Sequence, residues 1–381
     1  MTLLLCSRAC LPDKPKRRAN LVACLQGLRS NGVRVVFLSN SGDQDWFDVA
    51  FAGTGVEFYR WPGRQRAGTL PAIADALRCT PNDILVLAAC AEDVQMAKNG
   101  GGVLLAAGWS SDPRVTELGI QVARKTSALT ELVTLLSRWN TGWYYTAEAP
   151  TYHLRSLSDA SSHRYTSMNQ QQFGRAITGI VKGGGGGLPA LLALAARSLE
   201  SGGLGSVLER AAYGIFPSSS SANDDTDVLS DFGHRLRTTV SKVHFARRGA
   251  PLLIRHTPSA KRSAGGQGDH RTDPTEQLLT LHVNPAYRGK LNGRHIVVID
   301  DCLTYGTSFG VAAALLRRAG AADVTGVALG KFGNRTLGYD IDITGDPFQP
   351  LPPAAIGHVG QVPLAAAVSQ EAQRSLIDLL A

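Results

Sequence analysis

The run His295-Ile296-Val297-Val298-Ile299-Asp300-Asp301-Cys302-Leu303-Thr304-Tyr305-Gly306-Thr307-Ser308 decides how the C-terminal half of this chain is read. Ile296 to Ile299 is a β-branched run bounded by polar residues, which predicts a buried parallel strand. Two acids follow it. From Phe309 the apolar positions Phe309, Ala312, Leu315, Leu316 and Ala319 recur at helical spacing until Gly320. The predicted order is strand, loop, helix.

That order explains the residue types. A loop at the N-terminus of a helix offers unpaired backbone N–H groups and the positive end of the helix dipole. It therefore suits an anionic phosphate, helped here by the hydroxyls of Thr304, Thr307 and Ser308. Gly306 lets the backbone approach closely. Asp300 and Asp301 stand at the carboxyl end of the strand, where open α/β sheets bind ligands. Carboxylates there accept hydrogen bonds from ribose hydroxyls or help hold Mg²⁺. The plain structural alternative is a polar strand-to-helix turn with a capping hydroxyl.

Val297 to Ser308 resembles the PRPP-binding signature of type I phosphoribosyltransferases, an apolar strand followed by Asp-Asp-x-x-Thr-x-Gly-x-Thr, with Ser308 in place of the last Thr. The resemblance implies Mg²⁺-dependent displacement of pyrophosphate from PRPP by a nitrogenous base. Asp300 and Asp301 would hold the ribose, act in catalysis and help bind Mg²⁺, and Thr304, Tyr305, Gly306, Thr307 and Ser308 would cradle the 5′-phosphate. Upstream, Tyr213 to Pro217 runs into Ser218, Ser219 and Ser220, similar to the strand and loop that bind pyrophosphate in this family. The basic, Gly-rich stretch 256–276, with Lys261, Arg262 and Arg271, stands where the family has a mobile hood. The acceptor base is not identified, and a nucleotide remains an alternative to PRPP.

Composition narrows the class. At 381 residues, 44% hydrophobic and 18% charged, the chain suits a soluble protein with more than one core. No apolar run reaches the roughly 20 residues of a membrane span, and Arg8 to Arg18 is too charged for a signal-peptide core. A cytoplasmic protein is expected. Cys6, Cys10, Cys24, Cys79, Cys90 and Cys302 show neither zinc spacing nor a disulfide framework. The net charge of +8 fits a diphosphorylated small molecule or nucleic acid.

In the N-terminal part, Val33 to Leu38, Ile84 to Ala88 and Val103 to Ala107 read as strands between helices, an alternating β/α pattern. Leu38-Ser39-Asn40-Ser41 and Ala91 to Val103 resemble the second and fourth motifs of the haloacid dehalogenase (HAD) superfamily. Leu3 to Arg8 lacks the Asp pair of the first motif, and of the acidic motif only Asp93 remains. Without a carboxylate nucleophile, phosphatase activity is expected to be absent.

The expected α/β architecture is thus a Rossmann-like HAD-type domain over 1–137, a linker over 138–168 and a phosphoribosyltransferase-type parallel sheet over 169–345. A Pro-rich and helical tail over 346–381 completes it. Trp139, Trp143, Tyr144, Tyr145 and Tyr152 in the linker either stack on bases or pack at a domain interface. Gly183 to Gly187 reads as a flexible turn, since no Walker-type Lys-Ser or Lys-Thr follows. The rival to an enzyme is a non-catalytic PRPP- or nucleotide-sensing, or nucleic-acid-associated, regulatory module. Assembly state is open, a homodimer included.

Overall fold

Short runs of Leu, Val, Ile and Phe become strands β1 (Leu3–Cys6), β2 (Arg34–Ser39), β3 (Glu57–Arg60), β4 (Ile84–Ala88), β5 (Val103–Ala107) and β6 (Ile120–Val122). They form one sheet in the order β3-β2-β1-β4-β5-β6, with every pair parallel. β1, β4 and β5 are buried along their whole length. That is why they lack polar alternation, for a parallel sheet is covered on both faces. The computed structural model describes residues 2–139, 142–163, 166–201, 207, 210–240, 248–260 and 271–380. The sheet belongs to the first of two compact units, Met1–Asn140 with Pro189–Glu200 and Arg235–Lys242.

At the carboxyl ends of β1 and β4 the first unit buries a charge. Asp93 is fully buried; its Oδ1 pairs with Arg64 at 2.5 Å, and its Oδ2 accepts from Ser7 Oγ at 2.9 Å and from the Ala89 and Cys90 amides at 3.0 and 3.3 Å. Those amides open the helix Ala91–Gly100, so Asp93 caps that helix as well as balancing Arg64.

The second unit, Thr141–Leu188 with Ser201–His234 and Val243–Ala381, holds a mixed six-stranded sheet. Its members are β7 (Tyr145–Glu148), β8 (His153–Asp159) and β9 (Ala212–Ile215), then β12 (His295–Leu303), β13 (Asp323–Lys331) and β16 (Ala366–Val368), in the order β16-β7-β8-β13-β12-β9. β8, β13, β12 and β9 run parallel, while β7 and β16 add antiparallel. Two small antiparallel pairs complete the unit, β10 (Leu253–Arg255) with β11 (Leu281–Val283), and β14 (Leu337–Ile343) with β15 (Ile356–Pro363).

The helix Thr307–Arg318 lies tight on this sheet, because a Cβ on Gly326 would come within 2.4 Å of the Phe309 ring. Val298, Phe309, Leu316 and Val324 form the core there.

The C-terminal half corrects several boundaries. The stretch 138–168 is not a linker, since β7 and β8 lie within it and β8 pairs with β13 in the sheet. Tyr144, Tyr145 and Tyr152 are buried in that core, so they are not a platform for bases. Nor is 346–381 a tail, because it contributes β15, β16 and the helix Gln370–Leu380 to the second unit. The strand predicted to stop at Ile299 continues through the acids to Leu303, since its ladder with β13 persists to Leu303–Lys331. Among the described residues, no single helix is long and apolar enough to cross a membrane.

Replacing Asp93 by Ala would leave the Arg64 guanidinium buried without its counter-charge. A loss of about 3–5 kcal/mol in urea unfolding is expected, with partial recovery in the apolar pair Arg64→Met/Asp93→Leu. A single variant as stable as the wild type would show that the pair does not hold this corner.

Candidate functional site

A cleft of ≈ 980 Å³ opens at the carboxyl ends of β9 and β12, wholly within the second unit. It is lined by Asp300, Asp301 and the whole of Thr304 to Ser308, by Ser218, Ser219 and Ser220, and by Arg271. These sequence-predicted residues therefore meet in one place, although up to 90 positions separate Ser218 from Ser308. Lys261 and Arg262 lie outside the described residues.

The two acids differ. Asp300 is 9% exposed and its Oδ1 accepts the Asp301 amide at 2.8 Å, while Asp301 is half-buried. Burial, then the neighbouring Asp301 carboxylate, pushes the Asp300 pKa well above the usual carboxylate range. The pair thus combines a carboxyl biased toward its protonated form with a more accessible acid.

Beyond them the chain turns at Gly306, whose φ of +90° opens the helix Thr307–Arg318. A side chain there would be strained by the backbone and would also meet the Leu337 carbonyl at 2.7 Å. The first amides of this helix have no intrahelical acceptor, which makes the turn suited to an anion.

The loop hydroxyls are not equivalent. Thr307 Oγ1 lies 2.9 Å from the Arg271 carbonyl and 2.8 Å from the Tyr339 hydroxyl, which is itself 2.8 Å from the Thr272 carbonyl. Thr307 is 4% exposed, so its hydroxyl ties down the stem at 271–272 and what it offers the cleft is backbone. The nearby Ser308 hydroxyl favours the ionised form of the Asp300 carboxyl, against the larger effect of burial.

Behind the loop sits Lys331, at the end of β13 and 2% exposed. Its Nζ donates to the carbonyls of Thr304, Phe332 and Gly333 at 3.0, 2.7 and 2.9 Å. Burial lowers its pKa from 10.5 to about 8.

Across the cleft, Arg255 performs a similar task. It is 3% exposed and donates to the Ser218 and Pro217 carbonyls at 2.6 and 3.2 Å, to Gln277 Oε1 at 2.7 Å and to Thr280 Oγ1 at 2.9 Å. Asn223 exchanges hydrogen bonds with the Arg255 backbone, and the Ser259 amide donates to the Ser219 carbonyl at 2.9 Å. The serine loop is therefore held by its carbonyls.

Sequence reasoning missed Arg255, Lys331, Tyr339 and the cleft-lining Arg175, Thr178 and Lys182 of the helix Met168–Gly183. Arg255 had a signal, a lone charge ending the apolar run Leu252-Leu253-Ile254. The others had none that linked them to the motif. Compared with protein-family models, curated proteins and solved structures, the chain matches none.

Because Lys331 releases its proton near pH 8 when folded and near 10.5 when unfolded, the unfolded chain binds more protons across that window. Rising pH therefore favours the folded state. Relative to Lys331→Met, the wild type should gain stability between pH 8 and 10.5, by up to about 3 kcal/mol. Paired urea titrations at the two ends of this range check it; parallel curves would show that Lys331 is not a strained ammonium.

Proposed function

We propose that the second unit is a phosphoribosyltransferase-type domain. It binds PRPP, or a nucleotide, in this cleft and exchanges the substituent at the anomeric carbon for a nitrogenous base, with pyrophosphate as the other partner of the exchange. The reading rests on one observation: an acid pair near the carboxyl end of β12, a glycine turn opening a helix and a serine loop held by its carbonyls all line the same cleft.

Each element has a task. The 5′-phosphate is received by the amides at Gly306 to Ser308 with the Thr304 and Ser308 hydroxyls, and the ribose hydroxyls by Asp301 and Asp300. The diphosphate lies along Ser218 to Ser220, within reach of Arg271. As the C1–O bond to pyrophosphate breaks and the C1–N bond to the base forms, positive charge develops on the ribose ring. Acid oxygens fixed beneath it stabilise that charge.

Mg²⁺ commonly takes one or two carboxylates and completes its shell with waters and substrate phosphates. Asp301 and Asp300 beside a diphosphate site are such a donor set, and among the described residues no cluster of three or more ligating side chains forms a protein cage. The residues fit a Mg²⁺ that arrives with the diphosphate and neutralises its charge.

For the first unit we propose a Rossmann-like, HAD-type sheet that does not hydrolyse phosphate esters. Its strand order supports the first part. The second is supported by Cys6, fully buried with its pKa raised by burial, and by Asp93, whose oxygens are engaged by Arg64, Ser7 and two amides. A non-catalytic sensor would use the same cleft and differ only in releasing no pyrophosphate.

Calorimetry with PRPP and Mg²⁺, followed by a pyrophosphate-release assay over a panel of bases, tests the reading. Asp301→Asn and Asp300→Asn should each weaken PRPP binding by about 1–3 kcal/mol. If both variants bind PRPP as the wild type does, the ribose assignment is wrong.

A further inference from the structure

We propose that the helical wall of the cleft is an acceptor subsite for a ring compound carrying a carboxylate, either a nitrogen heterocycle or an aromatic amine. The inference rests on the phosphoribosyltransferase reading and adds the chemical class of the acceptor. It starts from which cations around the cleft are already engaged. Arg255 is held by two carbonyls, Gln277 and Thr280, and Lys331 by four carbonyls behind the phosphate-type loop. Arg271 stands on the stem that Thr307 ties down.

Arg175 and Lys182 are different. Both line the cleft, both are exposed, and neither makes a hydrogen bond or ion pair with any described residue.

Their spacing makes them one site. With Thr178 they fall at i, i+3 and i+7 of the helix Met168–Gly183, hence on one face. Seven residues rise about 10.5 Å along a helix, a gap that two long, flexible side chains can close over Thr178. The same wall has an apolar part, for Ile177 and Val181 line the cleft at 2% and 6% exposure, with Ile215 and Phe332 also lining it. A planar ring seats on those side chains while its carboxylate meets the two cations.

The cleft, at ≈ 980 Å³, is at the upper end of the ~300–1,000 Å³ usual for small-molecule sites. It has room for a ribose diphosphate and a second ligand together. In the transfer, a ring or amine nitrogen supplies the electron pair of the new C1–N bond. The C1–O pair leaves with pyrophosphate, and any proton on that nitrogen passes to pyrophosphate or solvent.

The test uses the full chain and three matched pairs, nicotinate with nicotinamide, orotate with uracil, and anthranilate with aniline, titrated with and without saturating PRPP and Mg²⁺. At least one acid should bind about tenfold more tightly than its neutral partner, equivalent to ~1.4 kcal/mol. The double variant Arg175→Gln/Lys182→Gln should abolish that preference and leave PRPP affinity unchanged. The proposal is overturned if no acid binds, if neutral partners bind as well, or if the preference survives in the variant. It is equally overturned if the variant loses affinity for a single-stranded oligonucleotide instead. PRPP titration of the wild type reports separately on the parent reading: its failure there, with the acid preference intact, would remove the transferase and keep the anion subsite.

Discussion

The parallel ladder between β12 and β13 is the constraint on which the second unit depends. It runs from His295–Asp323 to Leu303–Lys331 without stopping at the acids. Because it does not stop, Asp300 is fixed as a strand residue with its carboxyl buried beside Asp301, and Lys331 is brought level with the loop that follows. Gly326 in the middle of β13 lets Phe309 seat closely, which sets the helix that the loop must enter. The ladder thus positions two acids, a buried ammonium and a helix start together.

Much of this was legible because local chemistry and periodicity agreed. A β-branched run, paired acids, a glycine and hydroxyls in that order specify a strand, a sharp turn and a helix start, and Gly306 does adopt the left-handed backbone that the turn needs. Of the N-terminal strands β2, β4 and β5 were legible for the same reason, since parallel strands buried on both faces are continuous apolar runs, while β1, β3 and β6, each four residues or fewer, were not. The acids' place inside β12 was not, because its cause is a partner strand more than twenty residues downstream.

Residues 138–168 show a different failure. Pro150, the serines and the clustered aromatics look like a connector, yet Tyr145 and Tyr152 are core residues and β8 occupies an interior place in the sheet. A serine-containing strand such as His153–Asp159 has little apolar alternation, but Ser158 satisfies its hydroxyl on the Leu329 carbonyl, so burial costs it little. Pairing, not hydrophobicity, makes it a strand. Arg175, Thr178 and Lys182 were invisible as site residues for a related reason: helical spacing gives a shared face but does not say what that face looks upon.

The two loops facing the cleft share a physical device. A backbone that is to present N–H groups to an anion must have its carbonyl oxygens turned elsewhere, and those oxygens need donors in a place with little water. Arg255 supplies them for Pro217 and Ser218, and Lys331 does so for Thr304. Both cations are nearly inaccessible, although Arg255 also lines the cleft. Their charge is met by carbonyl dipoles, and the loops are held open-side out. A neutral donor could satisfy the same oxygens, but a buried positive charge behind each loop also makes the potential on its cleft side more positive.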